Sequence, residues 1–224
     1  MNGDAVQVWL VDAEAPEPVM AELFALLDDG ERERAGALLR PRDRHRYVVA
    51  HGALRSIVGA RLGAPPAELR WTRGPHGKPE LSGTWTGVRV NLSHSGDLAL
   101  VAVTGHRAVG VDVQRHTPHL DAIALAHRFF PPAEALFVAE GPGPETPVER
   151  FSRLWARKEA CVKANGGRLM QGMRLPVQGP GPLVVGTGDG PCLVTDVEVP
   201  HGFCAAVALA GTTPYRVEPH RWRW

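Results

Sequence analysis

The sequence holds only three cysteines, Cys161, Cys192 and Cys204. None lies in a CxxC pair, and the odd number argues against a disulfide framework or a thiolate zinc site; a reducing compartment fits. The start of the chain lacks a cationic stretch followed by an apolar run, so no secretory signal is read. No apolar run approaches the roughly 18–20 residues that span a bilayer, and a cytoplasmic location is expected. Excess charge of one sign is also missing. Lys and Arg number 25 and Asp and Glu 24, a formal +1, which gives no general pull toward nucleic acid or membranes. Low-complexity tracts are absent, since Gly and Pro fall between periodic segments. Neither a GxxxxGK[ST] phosphate loop nor a nucleophile elbow occurs.

What remains is a 224-residue chain that can bury a core without staples. "AVQVWLVDA" (5–13) alternates as a strand. Helical spacing follows at 17–29, 31–40 and 42–63. In the last of these, Val48, Leu54, Ile57, Val58 and Leu62 form the expected buried stripe. Asp43 is the expected N-cap and Gly63 the stop. "LRWTR" (69–73) reads as a strand and "GPHGKPEL" (74–81) as a turn-rich loop. Strands follow at 88–92, 98–104 and 108–114, the last two joined by "GHR", a hairpin length. Helices at 121–129 and 132–140 precede a breaker-rich loop, the long helix "FSRLWARKEACVKANGG" (151–167), and strands at 182–185, 192–199 and 203–211. The order recurs once per half. We therefore expect an α+β fold: a pseudo-dimer of two similar subdomains, 1–105 and 106–224, each a long helix on a small, mostly antiparallel sheet.

Asp112 and Gln114 stand two apart in "VGVDVQ" and project from one face of a strand, with Val109, Val111 and Val113 on the other. The pair suits a metal site; it also suits a strand meeting water at its end. Trp155, Glu159 and Lys163 stack at i, i+4 and i+8 on a helix. Glu159 and Lys163 are either a surface ion pair worth a few tenths of a kcal/mol or part of a site. Phe151, Leu154, Trp155 and Val162 mark the buried stripe, with Lys158 and Glu159 at its edge. Charges against a core need partners, and Asp112 with Glu159 around Mg²⁺ supplies one arrangement. "NLSHSGDLA" (91–99) reads as a turn whose Ser93 and His94 suit phosphate oxygens or simply the backbone. The basic run at 32–46 is either a solvated face or a phosphate cradle, and it lacks the stacking aromatics of a nucleic-acid surface. Arg153 and Arg157 are expected to face solvent.

Together "GKP" (77–79), "NLSHSGDLALVAV" (91–103), "VGVDVQ" (109–114), "RFFPPAEA" (128–135) and "FSRLWARKEACVKANGGRL" (151–169) resemble the Sfp-type 4′-phosphopantetheinyl transferases. The resemblance implies transfer of the phosphopantetheine arm of coenzyme A to a serine of an acyl or peptidyl carrier protein, as in holo-[acyl-carrier-protein] synthases. The other product is 3′,5′-ADP. It implies a monomeric pseudo-dimer acting on carriers of polyketide, peptide or fatty acid synthesis. By resemblance, Asp112 and Glu159 are Mg²⁺ carboxylates, with Glu159 also the base. Lys158 would stabilise the leaving phosphate and Lys163 contact phosphate. Lys78, Ser93 and His94 would contact coenzyme A, and Arg46 and Arg55, with Arg32 or Arg34 less directly indicated, its nucleotide phosphates. Gln114 departs from the Glu often found there and is read as an auxiliary metal ligand. A non-catalytic coenzyme A- or nucleotide-binding protein on the same fold is the alternative.

Overall fold

A computed structural model describes residues 5–74, 78–167 and 169–224. The first half runs β1 (Ala5–Asp12), α1 (Glu17–Leu26), α2 (Asp29–Ala37), α3 (Pro41–Leu62), β2 (Trp71–Arg73), β3 (Pro79–Leu81), β4 (Arg89–Ser95) and β5 (Leu98–Thr104). The second runs β6 (Val109–Arg115), α4 (Ala122–Phe129), α5 (Pro132–Glu140), α6 (Pro147–Asn165), α7 (Leu169–Gly172), β7 (Leu183–Thr187), β8 (Gly190–Asp196) and β9 (Phe203–Ala210). The chain then adds β10 (Arg216–Trp222).

Two four-stranded sheets result, ordered β10-β1-β5-β4 and β6-β9-β8-β7, beside a β2-β3 ribbon. In each half the opening strand pairs antiparallel with the last strand of the meander, β1 with β5 and β6 with β9. A long helix covers the outer face of each sheet: α3 joins the first core and α6 the second. The inner faces meet in a third apolar layer, built from Val6, Val8, Leu98, Leu100 and Ala102 on one side and Val109, Val111, Val113, Ala205, Val207 and Leu209 on the other. Period-2 alternation sorts these residues. On β5, Ala99, Val101 and Val103 turn toward α3 while Leu98 and Leu100 turn toward the second sheet. The fold is the expected α+β pairing of two like halves.

Several local expectations are corrected. Arg40, not Asp43, is the N-cap of α3, because Pro41 takes the first helical position, where its missing N–H costs nothing. Gly63 does stop the helix, at φ 63°. "GHR" makes no hairpin: β5 pairs with β1 and β4, while β6 pairs with β9. Both strands are buried on two faces over most of their length, so the short link can pass between sheets. "SHS" (93–95) belongs to β4, and the turn shrinks to Gly96 and Asp97. Within "GKP", Gly77 lies outside the described residues. The last strand was not foreseen. β10 returns to the first sheet and pairs parallel with β1 at its edge, where Pro219 is tolerated.

Candidate active site

The site grows from the contact of α6 with β6. Helix α6 opens four residues before the segment read from sequence, with a Thr146–Glu149 capping box and Pro147 in its first turn. It lies very close to β6 because Gly110 has no side chain. A Cβ there would stand 2.1 Å from the Ala160 carbonyl oxygen and 2.4 Å from the Ala164 nitrogen. Two residues along, Asp112 therefore meets the Glu159–Lys163 face of the helix.

The other edge of β6 lies along β4, and side chains replace a backbone ladder. Asn91 Oδ1 accepts from Val111 N at 2.9 Å, Ser93 Oγ from Val113 N at 3.4 Å and Ser95 Oγ from Arg115 N at 3.0 Å. Three polar residues at alternate positions of β4 thus fix the strand that carries Asp112. This row is how the first half positions a group of the second.

Asp112 is buried, at 2% exposure. Its Oδ1 accepts from Ser93 Oγ at 2.8 Å and Lys163 Nζ at 2.6 Å, and its Oδ2 from Gln114 Nε2 at 2.7 Å. A carboxylate offers about four acceptor sites, so among the described residues one on Oδ2 stays open. Burial and the neighbouring Asp112 carboxylate push the Glu159 carboxyl above its ordinary value, against Lys163 and a Trp155 hydrogen bond that pull it down. Two acids share one space there, and one carboxylate discourages the other from ionising. Among the described residues, no three His, Cys, Asp or Glu side chains gather into a metal cage. Gln114 brings an amide to Asp112, not a third acid.

Beside this cluster lies a cavity of about 400 Å³, lined by Arg34, Tyr47, His51, Trp71, Pro79, Asn91 and His94 among others, with Asp28 and Glu31 in its wall. Its size and aromatic lining suit a nucleotide. His94 keeps surface exposure on one side. Desolvation by the protein packed around its ring, with His51, Lys163 and Arg46 nearby, holds its imidazole below the ordinary value, and Asp112 opposes them.

The remaining residues marked in the sequence sit elsewhere. Lys158 is fully buried and turned into the second core. Its ammonium donates to Glu134 at 2.5 Å and to the Leu175 carbonyl, and lies 4.6 Å from the centre of the Phe130 ring. One residue from Glu159 is about 100° around a helix, enough to turn the side chain from site to core. A contact with a leaving phosphate does not fit that position. Arg55 is equally buried: it binds Glu31 at 2.6 Å, Asp28, and the Pro66 and Leu69 carbonyls at 3.1 and 3.2 Å. Its fork is filled by protein, which disfavours a phosphate contact. Arg46 lies at the Gly96–Asp97 turn, 2.5 Å from Asp97 Oδ1. Of Arg32 and Arg34, Arg34 lines the cavity. Lys78 donates to the Val109 and Lys163 carbonyls at 2.8 and 2.7 Å. Arg157 is not solvent-facing: it is 3% exposed and grips Asp196 through two 2.7 Å bonds. Arg153 pairs with Glu145 at 2.7 Å.

Sequence reasoning missed Asn91, Asp97 and Glu134. Asn91 carried a readable signal, since it shares the period-2 face of Ser93 and Ser95. Asp97 and Glu134 gave none, because their partners lie 51 and 24 residues away.

Comparison with known proteins gives the family. Residues 15–106 match the model of the 4′-phosphopantetheinyl transferase N-terminal family, and residues 108–179 that of the 4′-phosphopantetheinyl transferase superfamily. The 4′-phosphopantetheinyl transferase HetI of Nostoc sp. is 33% identical over 226 residues, covering 99% of this chain and 93% of that protein. The chain belongs to the 4′-phosphopantetheinyl transferase superfamily. A putative 4′-phosphopantetheinyl transferase of Synechocystis sp. is 33% identical over 75% of this chain and 67% of its own length. A 4′-phosphopantetheinyl transferase of Bacillus subtilis is 25% identical over 84% of each chain. The superfamily membership makes the chain a transferase by class. Both family models end or begin at the link between β5 and β6, and the Asp112 cluster is assembled across that link.

Proposed function

We propose that the chain transfers the 4′-phosphopantetheine group of coenzyme A to a serine of an acyl or peptidyl carrier protein, releasing 3′,5′-ADP, with Mg²⁺ as cofactor. The observation that supports this most is the buried Asp112, tied to Ser93, Lys163 and Gln114 and facing Glu159 beside a nucleotide-sized cavity.

The donors fit Mg²⁺, which takes few carboxylates and leaves positions to water and phosphate. Asp112 and Glu159 would hold it, with Gln114 as auxiliary. Bound there, it supplies charge neutralisation to the pyrophosphate. The chain's own groups do the rest. Arg34, His94 and the aromatic residues of the cavity hold the nucleotide. Lys163, already within 3.1 Å of Ser93 Oγ and 2.6 Å of Asp112, places positive charge where phosphate oxygens collect. Glu159 takes the proton of the carrier serine hydroxyl, a role that a carboxyl with raised proton affinity fits. The nucleophile comes from the partner, so Ser93 needs only to position Asp112.

The test is a mass measurement on an apo carrier protein incubated with the chain, coenzyme A and Mg²⁺. Gain of one phosphopantetheine group is expected, and its loss in Asp112→Ala and Glu159→Ala. No gain with any of several carriers rejects the transferase reading. Coenzyme A binding without gain would instead favour a non-catalytic binding protein.

A further inference from the structure

The free edge of β6 holds a pattern that involves Lys78. Its N–H groups at 111, 113 and 115 are taken by Asn91, Ser93 and Ser95. Its carbonyls on the same edge are taken by two lysines: Val109 O by Lys78 at 2.8 Å and Val111 O by Lys163 at 3.3 Å. Lys78 also donates to the backbone carbonyl of Lys163 at 2.7 Å. That carbonyl lies in the last turn of α6, where no intrahelical donor remains among the described residues. Gly166 and Gly167 both serve Val162 O instead. Lys78 therefore caps the helix from another part of the chain, with a cation where the helix dipole favours one. The same ammonium ties the start of β6 to the end of α6, across the Gly110 contact.

We propose that Lys78 is a positioning residue: it fixes the last turn of α6 against β6, so that the Lys163 ammonium stays on Asp112. This rests on the transferase reading, but it gives Lys78 a role other than contact with coenzyme A. Lys78 does not line the nucleotide cavity, whereas its neighbour Pro79 does. Removal from water holds its ammonium at about 8, as expected for a group enclosed by backbone. Both bonds run to backbone, so no side chain need be matched to it.

The test uses Lys78→Met, which keeps the chain length and removes the donors. Three quantities are measured below the melting temperature: the dissociation constant of coenzyme A, the separate kcat and KM of carrier modification, and hydrogen exchange of amides in the last turn of α6. The expected result is a coenzyme A affinity and KM within about twofold of the parent, a kcat lowered about tenfold, and exchange in that turn at least tenfold faster. A tenfold weaker coenzyme A affinity with unchanged exchange overturns the proposal and makes Lys78 a ligand contact. Unchanged kcat and exchange overturn it too. If Lys78→Met does not fold, Lys78→Ala, which also removes the donors but brings no apolar bulk against the two carbonyls, is measured by the same criteria. Should the parent modify no carrier, the transferase reading fails, while affinity and exchange still decide the role of Lys78.

Discussion

Replacing Lys158 by Met separates a catalytic lysine from an anchoring one. The substitution keeps the chain length and removes the charge. It leaves Glu134, 3% exposed on its side chain, with one oxygen still accepting from Val177 N and Gln178 N at 2.6 and 2.9 Å and the other without its ammonium. Breaking one side of a buried pair costs about 3–5 kcal/mol, since the remaining charge has no water. For a chain of this size each kcal/mol moves the melting temperature by about 2–4 °C, so a fall of roughly 6–20 °C is expected. Adding Glu134→Gln removes the orphaned charge while leaving an oxygen for the two amides. The double variant should regain at least about 2 kcal/mol, a coupling expected only for groups in contact. Equilibrium urea unfolding measures all four proteins, and turnover is assayed at a temperature where each is folded. The reasoning fails if Lys158→Met stays within about 1 kcal/mol of the parent yet loses more than a hundredfold in turnover.

Three further outcomes follow from the geometry. Gly110→Ala should destabilise the fold by about 3 kcal/mol and abolish transfer, because the new methyl meets backbone of α6 that cannot rotate away; thermal melting and the mass assay check it. Gln114→Glu supplies a third acid, so half-maximal activity should come at lower Mg²⁺, whereas Gln114→Ala should stay active at saturating Mg²⁺; a Mg²⁺ titration that does not move contradicts the auxiliary role. Burial pushes the Cys204 thiol up to about 12, and Cys161 and Cys192 are fully buried. The native protein should therefore react with a thiol reagent at pH 8 about a thousandfold more slowly than a free cysteine, and at the ordinary rate once unfolded.

The periodic elements were legible because burial imposes period 2 on β5 and β6 and a helical stripe on α6. The Asp112–Glu159–Lys163 set was legible for the same reason, as each residue keeps its face. Pairing was harder to read. A three-residue link after β5 says nothing about which sheet β6 joins when β5 is apolar on both sides and β6 is apolar on one. β10 hides because Pro219 and its polar neighbours, His220 and Arg221 among them, erase the alternation that an edge strand does not need. Direction was hardest: Lys158 and Glu159 are adjacent at the margin of one stripe. Glu134, in a separate helix, together with the Leu175 carbonyl and the Phe130 ring, takes the lysine inward and leaves the glutamate outward.

The two long helices bear on this through their ends. Gly63 and Gly166 both close their helices with left-handed backbone, at φ 63° and 73°. Counting back eight residues from each gives Arg55 and Lys158, both 0% exposed. Each binds acid in the preceding short helix or its cap, Glu31 and Asp28 in one half and Glu134 in the other, and a carbonyl from the chain that follows. The same anchor thus occurs twice, whereas the positions matching Glu159 and Lys163 hold Ser56 and Ala60. Conserving an anchor in both halves while only one carries the acids and lysine implies different consequences of its loss. Arg55→Met should cost less than Lys158→Met, about 1–3 kcal/mol, because the acids it leaves without their guanidinium, Asp28 and Glu31, are only half-buried. It should also weaken coenzyme A binding about tenfold without any contact to it. Asp28 and Glu31 line the cavity, and Glu31, though burial pushes its carboxyl up, is held ionised by His51 and Arg55. Without the guanidinium, that negative wall faces the phosphates. Calorimetry with coenzyme A on both folded variants decides it: equal affinities for Arg55→Met and Lys158→Met would refute the asymmetry.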